Sequence, residues 1–211
     1  MQLRSYPTSP CIDEPLAGAA VGTVGVAGQA IPNVLVAVLI LIGAEVMFFA
    51  GLIMAFMILR AGSFAWPPPG QPRLPIAITG INTLVLGASG WAVYRALDSA
   101  RQRRLETVSR WIGTAILLGL TFLAIQSVEW IRLLAFGLRA SRSLYGATFY
   151  TAIGAHAVHV AGGLIALALV FYNSVTRGFD AKTHSWLEAC AFFWFFVVAV
   201  WPVLYVFLYL T

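Results

Sequence analysis

Residues 33–59 read NVLVAVLILIGAEVMFFAGLIMAFMIL, and Glu45 is the single ionisable residue in that run. The hydrocarbon core of a bilayer is about 30 Å thick and takes ~20 residues of helix to cross. No water is present there to satisfy backbone N–H and C=O groups, so an apolar run of this length must close its own hydrogen bonds as an α-helix. A β-barrel would instead show ~10-residue segments of alternating polarity, whereas the apolar residues here fall in unbroken blocks.

Four more such blocks follow, at about 75–97, 110–133, 146–172 and 186–210. Together they predict an all-α fold, an integral membrane bundle of five transmembrane helices over residues 31–211. Composition agrees. Of 211 residues 60% are hydrophobic and 10% charged, against about a quarter charged in soluble domains, too few to clothe a soluble core. The net charge is +5, but the arginines lie in short links between blocks rather than in a stripe with interleaved aromatics. A membrane protein is therefore favoured over a nucleic-acid binder, and no nucleic-acid partner is expected. Cys11 and Cys190 have no CxxC or Cys/His spacing around them, so neither a disulfide framework nor a zinc site is expected. Residues 1–30 contain Asp13, Glu14, several prolines and a Gly/Ala-rich run, with no apolar stretch behind basic residues. They read as a flexible N-terminal extension rather than a signal peptide.

The links carry helix-breaking residues. Gly62-Ser63 and Trp66-Pro67-Pro68-Pro69-Gly70 are not helical in expectation, and Pro75 suits the first turn of the second helix. Arg101-Gln102-Arg103-Arg104 forms a basic turn, and the later links hold Arg139 and Arg142, then Arg177-Gly178 to His184. Eight Lys and Arg residues (Arg4, Arg95, Arg101, Arg103, Arg104, Arg110, Arg177, Lys182) lie on the side of the N-terminus, against five (Arg60, Arg73, Arg132, Arg139, Arg142) on the other. The positive-inside rule then puts the N-terminus in the cytoplasm and the C-terminus outside.

An ionisable group at helix depth is expensive and calls for a reason. Glu45 sits mid-helix with no charge within ten residues on either side. It is either a proton-linked or lipid-facing carboxyl, or a protonated Glu hydrogen-bonded to a neighbouring helix. His156 and His159 lie three apart and share a face with Ala152 and Gly163, small residues that permit close helix approach. Two histidines on one helix supply too few ligands for a metal or haem, so interhelical hydrogen bonding is the better reading. Thr79, Asn82 and Ser89 form a polar seam on the second helix, suited to helix packing. Gln126 and Glu129 share a face of the third, with Arg132 as a possible partner for Glu129. Glu188 is read as opening the fifth helix, where a carboxylate suits the positive dipole end. Phe192, Phe193, Trp194, Phe195 and Phe196 read as a packing or lipid surface. No nucleophile–base pair, phosphate loop or metal-ligand set is present, so no catalytic residue is expected.

The arrangement resembles subunit III of the haem–copper respiratory oxidases, the cytochrome c oxidase type, in a short five-helix bacterial form. The likeness runs from about residue 33 to the C-terminus. It rests on Glu45-Val46-Met47-Phe48-Phe49-Ala50, Trp66-Pro67-Pro68 with Gly70, Asn82-Thr83 with Ser89, and Gln126 with Glu129-Trp130. It continues in Tyr145-Gly146 with Phe149, in Gly154-Ala155-His156-Ala157-Val158-His159-Val160, and in His184 with Glu188. Each piece is weak alone, and it is their order that carries the resemblance. Family members commonly have seven helices and this chain matches the last five; the two others form one wall of the family's lipid-filled cleft. The family's final helix usually reads Tyr-Trp-His-Phe-Val-Asp, whereas Phe195 and Val198 stand at the histidine and aspartate positions here.

The resemblance implies a non-catalytic core subunit of a proton-pumping terminal oxidase in the aerobic electron transport chain, in the bacterial inner membrane. Glu45 would be the family's carbodiimide-reactive carboxyl. The chain would hold phospholipid and no haem or copper of its own, those lying in partner subunits. Subunit I would be its main partner, with subunit II and small subunits beside it. It would stabilise subunit I and support proton uptake. The accessory subunit of a nitric oxide reductase, a quinol oxidase and a stand-alone proton-linked transporter are the other readings.

Overall fold

The computed structural model describes residues 33–64, 76–136, 144–176 and 181–210. The proline-rich link around Trp66-Pro67-Pro68, the links holding Arg139, Arg142 and Arg177, and the N-terminal extension lie outside the described residues. Five helices follow in order: α1 (Asn33–Ala61), α2 (Ile76–Arg101), α3 (Leu105–Ala135), α4 (Leu144–Thr176) and α5 (Ala181–Tyr205), the last running on into a π-helical turn, Val206–Leu210. All five are long and apolar enough to cross a membrane, and the fold is an integral membrane bundle.

The helices outrun the apolar blocks. α3 begins at Leu105 rather than near 110, and α5 at Ala181 rather than near 186. Hydropathy marks where the hydrocarbon lies, but a helix continues into the headgroup zone, where its polar residues are solvated. One consequence corrects the reading of Glu188. It lies two turns inside α5, whose first turn carries no acidic residue.

α2 and α3 form an antiparallel hairpin through a tight basic turn. Arg104 N–H donates to the Ser99 carbonyl (3.0 Å) and Arg103 N–H to that of Ala100 (3.1 Å). This crossed pair is the Schellman motif, which needs a left-handed residue before the chain exits. That residue is Arg103, at φ 57°, where glycine is the usual choice.

Lipid tails are as apolar as the side chains, so close packing and interhelical hydrogen bonds hold such a bundle together. α5 packs against α1, α2 and α4, while α2 and α3 pack most extensively of all. Trp194 of α5 is fully buried where these helices converge. A Cβ added at Gly163 of α4 would sit 2.7 Å from its Cε3, and one at Gly119 of α3 would sit 3.0 Å from its Cη2. The indole N–H donates to Ser89 Oγ of α2 (3.2 Å). One side chain thus links four helices. Trp201, about two turns further along, donates to Thr83 Oγ1 of α2 (2.9 Å). Pro202 interrupts the α5 ladder, and Tyr205 donates to the Ile76 carbonyl (3.0 Å) at the start of α2. α1 is held more lightly, with Phe49 and Phe56 its only buried residues.

Candidate functional site

Glu45 lies twelve residues into α1, about 18 Å along the axis at ~1.5 Å per residue, and so near mid-membrane. Its Oε2 is 2.9 Å from Nε2 of His159 on α4. The other ring nitrogen, Nδ1, is 2.7 Å from the Ala155 carbonyl of its own helix. A carbonyl only accepts, so Nδ1 carries a hydrogen and donates it. Nε2 and Glu45 then hold one proton between them. Either the carboxyl O–H donates to a bare Nε2, or the imidazolium Nε2–H donates to a carboxylate. Both placements bind the same number of protons and leave the pair neutral overall, which suits its depth. The pair is open along one edge, with side-chain exposures of 21% for Glu45 and 18% for His159. Aromatic rings close the rest. Phe49 stands edge-on to His159 at 5.2 Å between centroids, with Phe48 at 6.3 Å and Phe193 at 6.4 Å.

His156, one turn earlier, behaves differently. It is fully buried, and neither ring nitrogen has a hydrogen-bond partner. It stacks on Trp201 (4.9 Å, 29°) and stands edge-on to Phe122 of α3 and Phe49 of α1. The interhelical hydrogen bond expected of the histidine pair is therefore made by His159 alone. His156 serves as an aromatic plate where α1, α3, α4 and α5 meet.

A second polar group occupies the α2–α3 seam. Thr79 donates to Glu129 Oε2 (3.0 Å), and Gln126 Nε2 donates to the same oxygen (3.3 Å). Gln126 also reaches the hydroxyl of Tyr209 (3.4 Å), brought there by the π turn. Glu129 thus takes neutral donors from α2 and α3 rather than forming an ion pair with Arg132. Asn82 donates to the Phe122 carbonyl (3.1 Å), and Ser89 accepts from Trp194. Glu188 lies 3.8 Å from His184 Nδ1, one turn back on α5. Among the described residues no group of three His, Cys, Asp or Glu side chains is placed to hold a metal ion.

The family model described as cytochrome c oxidase subunit III matches residues 23–211. The chain belongs to the cytochrome c oxidase subunit III family. It is 33% identical over 174 residues to a Synechocystis cytochrome c oxidase subunit 3, covering 82% of this chain and 73% of that one. A probable cytochrome c oxidase subunit 3 of Mycobacterium leprae is 32% identical over 198 residues, 89% of this chain and 97% of the relative. The human cytochrome c oxidase subunit 3 is 34% identical over 184 residues, 81% of this chain and 67% of the relative.

Subunit III membership gives the departures in α5 a structural setting. Val198, where the family's aspartate is expected, packs its Cγ1 3.3 Å from where a Cβ at Gly90 of α2 would be. The α2–α5 contact there is apolar and close. Phe195, at the histidine position, is half-buried against the core. Sequence reasoning missed Trp194 as the junction of the bundle; its signal was the pair of glycines, Gly119 and Gly163, on the two helices it enters. It also missed that Glu45 and His159 are partners, since spacing along one helix says nothing of the helix opposite.

Proposed function

We propose that the chain is the non-catalytic subunit III of a proton-pumping haem–copper terminal oxidase, where it stabilises subunit I, holds phospholipid and supports proton uptake. The observation that carries this reading is the Glu45–His159 pair. It is a proton-holding, net-neutral couple at mid-membrane depth, open along one edge and enclosed elsewhere by aromatic rings. Moving that proton from one partner to the other leaves the charge of the couple unchanged in the hydrocarbon. It suits a proton reservoir beside an uptake route better than a binding site for a large ligand. Haem and copper belong to partner subunits in this reading, with subunit I as the main contact and subunit II beyond it. Residues 1–30 are an N-terminal extension to the membrane domain at 31–211. The bundle lies in the bacterial inner membrane with its N-terminus in the cytoplasm and its C-terminus outside. The Arg101–Arg104 turn supplies most of the charge bias behind that orientation.

The test is to purify the chain from its native membrane in mild detergent and record the reduced-minus-oxidised spectrum with metal analysis. An a-type haem with copper, in stoichiometric amount, supports a cytochrome c oxidase. A b- or o-type haem with copper moves the assignment to a quinol oxidase, and haem b with non-haem iron and no copper to a nitric oxide reductase. A colourless chain without partners overturns the reading in favour of a transporter.

A further inference from the structure

We propose that Arg95, held against the rings of both Trp91 and Trp111, binds the headgroup phosphate of an anionic phospholipid at the membrane surface beside the α2–α3 turn. The guanidinium carbon lies 5.4 Å from the ring centre of Trp91 and 5.3 Å from that of Trp111. The two indoles meet edge to face, 5.2 Å apart at 87°. A cation held against two indole rings has a fixed position and is drawn partly out of water.

Nothing in the described chain neutralises it. No carboxylate lies within ion-pair distance, and Nε is buried with no hydrogen-bond partner. Asp98, the nearest acid on the same helix, accepts instead from Gln102 Nε2 at 3.0 Å. A fixed guanidinium at a membrane boundary, left uncompensated among the described residues, is a site for an anion.

Depth selects a lipid as that anion. Arg95 lies six residues before the end of α2 at Arg101, and Trp111 six residues after the start of α3 at Leu105. Each is therefore about 9 Å from its helix end, at the boundary between acyl chains and headgroups, where Trp and Tyr collect. Trp91 and Tyr94 are exposed on this side, at 54% and 55%, which fits rings lying in that boundary. Arg101, Arg103, Arg104 and Arg110 are exposed around the same turn, opposed by Asp98 and Glu106. The net positive surface draws anionic lipids toward Arg95. A planar guanidinium suits phosphate oxygens in a bidentate grip. The site stands apart from Glu45 and owes nothing to the proton reading.

The complex containing the chain is isolated in mild detergent as the parent and as Arg95→Gln, Arg95→Lys and Trp111→Phe. Retained lipids are counted by native mass spectrometry, and the delipidated complexes are titrated with phosphatidylglycerol and, separately, phosphatidylcholine. The parent is expected to retain one more anionic lipid per chain than Arg95→Gln. Its phosphatidylglycerol affinity should exceed that of the Gln variant about five- to tenfold, with the Lys and Trp111→Phe variants between. Phosphatidylcholine binding should be the same in all. If Arg95→Gln does not assemble, the Lys and Phe variants carry the comparison. Equal phosphatidylglycerol affinity across the set overturns the proposal. So does a parent that binds the two lipids alike. Loss of a neighbouring subunit from Arg95→Gln at unchanged lipid count also overturns it and gives the anion as a partner's carboxylate. The haem spectrum of the same samples reads the oxidase assignment separately.

Discussion

His159 Nε2 lies 2.9 Å from Glu45 Oε2 while its Nδ1 is spoken for by the Ala155 carbonyl. Because the tautomer is set from within α4, the proton between α4 and α1 belongs to the pair and to neither residue alone. Replacing Glu45 by Gln keeps a side chain that donates to the bare Nε2, but removes the exchangeable proton. Glu45→Gln is expected to leave initial oxygen reduction intact and to shorten the time over which turnover and pumping are sustained. Oxygen-electrode traces over many turnovers, with proton pumping measured in vesicles, test it. A variant that endures and pumps like the parent removes the role assigned to Glu45.

Trp194 fills the space left by two glycines, so a single methyl group at either has nowhere to go. Gly163→Ala sets a carbon 2.7 Å from the indole, and overpacking of this kind costs about 1–3 kcal/mol. Gly162, its neighbour, has nothing within 4 Å of an added Cβ, so Gly162→Ala should change stability by less than ~0.5 kcal/mol. Thermal unfolding of the detergent-solubilised protein distinguishes the two. Equal melting temperatures would mean that Trp194 is not wedged there.

Glu129 accepts from Thr79 and Gln126 in the buried α2–α3 seam. Glu129→Leu takes the acceptor from both and is expected to destabilise by about 1–3 kcal/mol. Glu129→Gln keeps an acceptor oxygen and should cost less. Because the bonds come from neutral donors, Arg132→Gln should have the smallest effect of the three. If Arg132→Gln proves the most damaging in the same unfolding assay, an ion pair with Glu129 must form after all.

The Trp201 indole donates to Thr83 across the α2–α5 interface. A double-mutant cycle of Trp201→Phe and Thr83→Val should give a coupling of about 0.6 kcal/mol, the usual size of an interhelical hydrogen bond in membranes. Strict additivity would say that the bond contributes nothing to stability.

The bundle was legible in the sequence because hydrocarbon leaves the backbone one option, and the five apolar blocks each became a helix. Helix ends were not, since hydropathy falls at the headgroups while backbone hydrogen bonding runs on. That is why α5 starts at Ala181 and Glu188 lies inside it. Glu45, His156 and His159 stood out as costly residues at depth, but their division of labour depends on which helix each faces. His159 looks toward α1 and finds a carboxylate; His156, three residues away, looks inward and finds only rings. Arg95 drew notice only as one positive charge among eight. Its two indole neighbours lie four residues back on its own helix and across the turn on the next, and only the folded hairpin brings the second one to it.

As the proposed subunit III, the chain would carry no redox centre and would sustain a neighbour that does. The most direct test follows oxygen consumption by the oxidase with the chain present, stripped away by detergent, and added back. Without the chain the initial rate should be largely retained and the decline over successive turnovers faster, with endurance recovering when the chain returns. A stripped enzyme that runs steadily, or one that loses its haem or copper along with this chain, would contradict it.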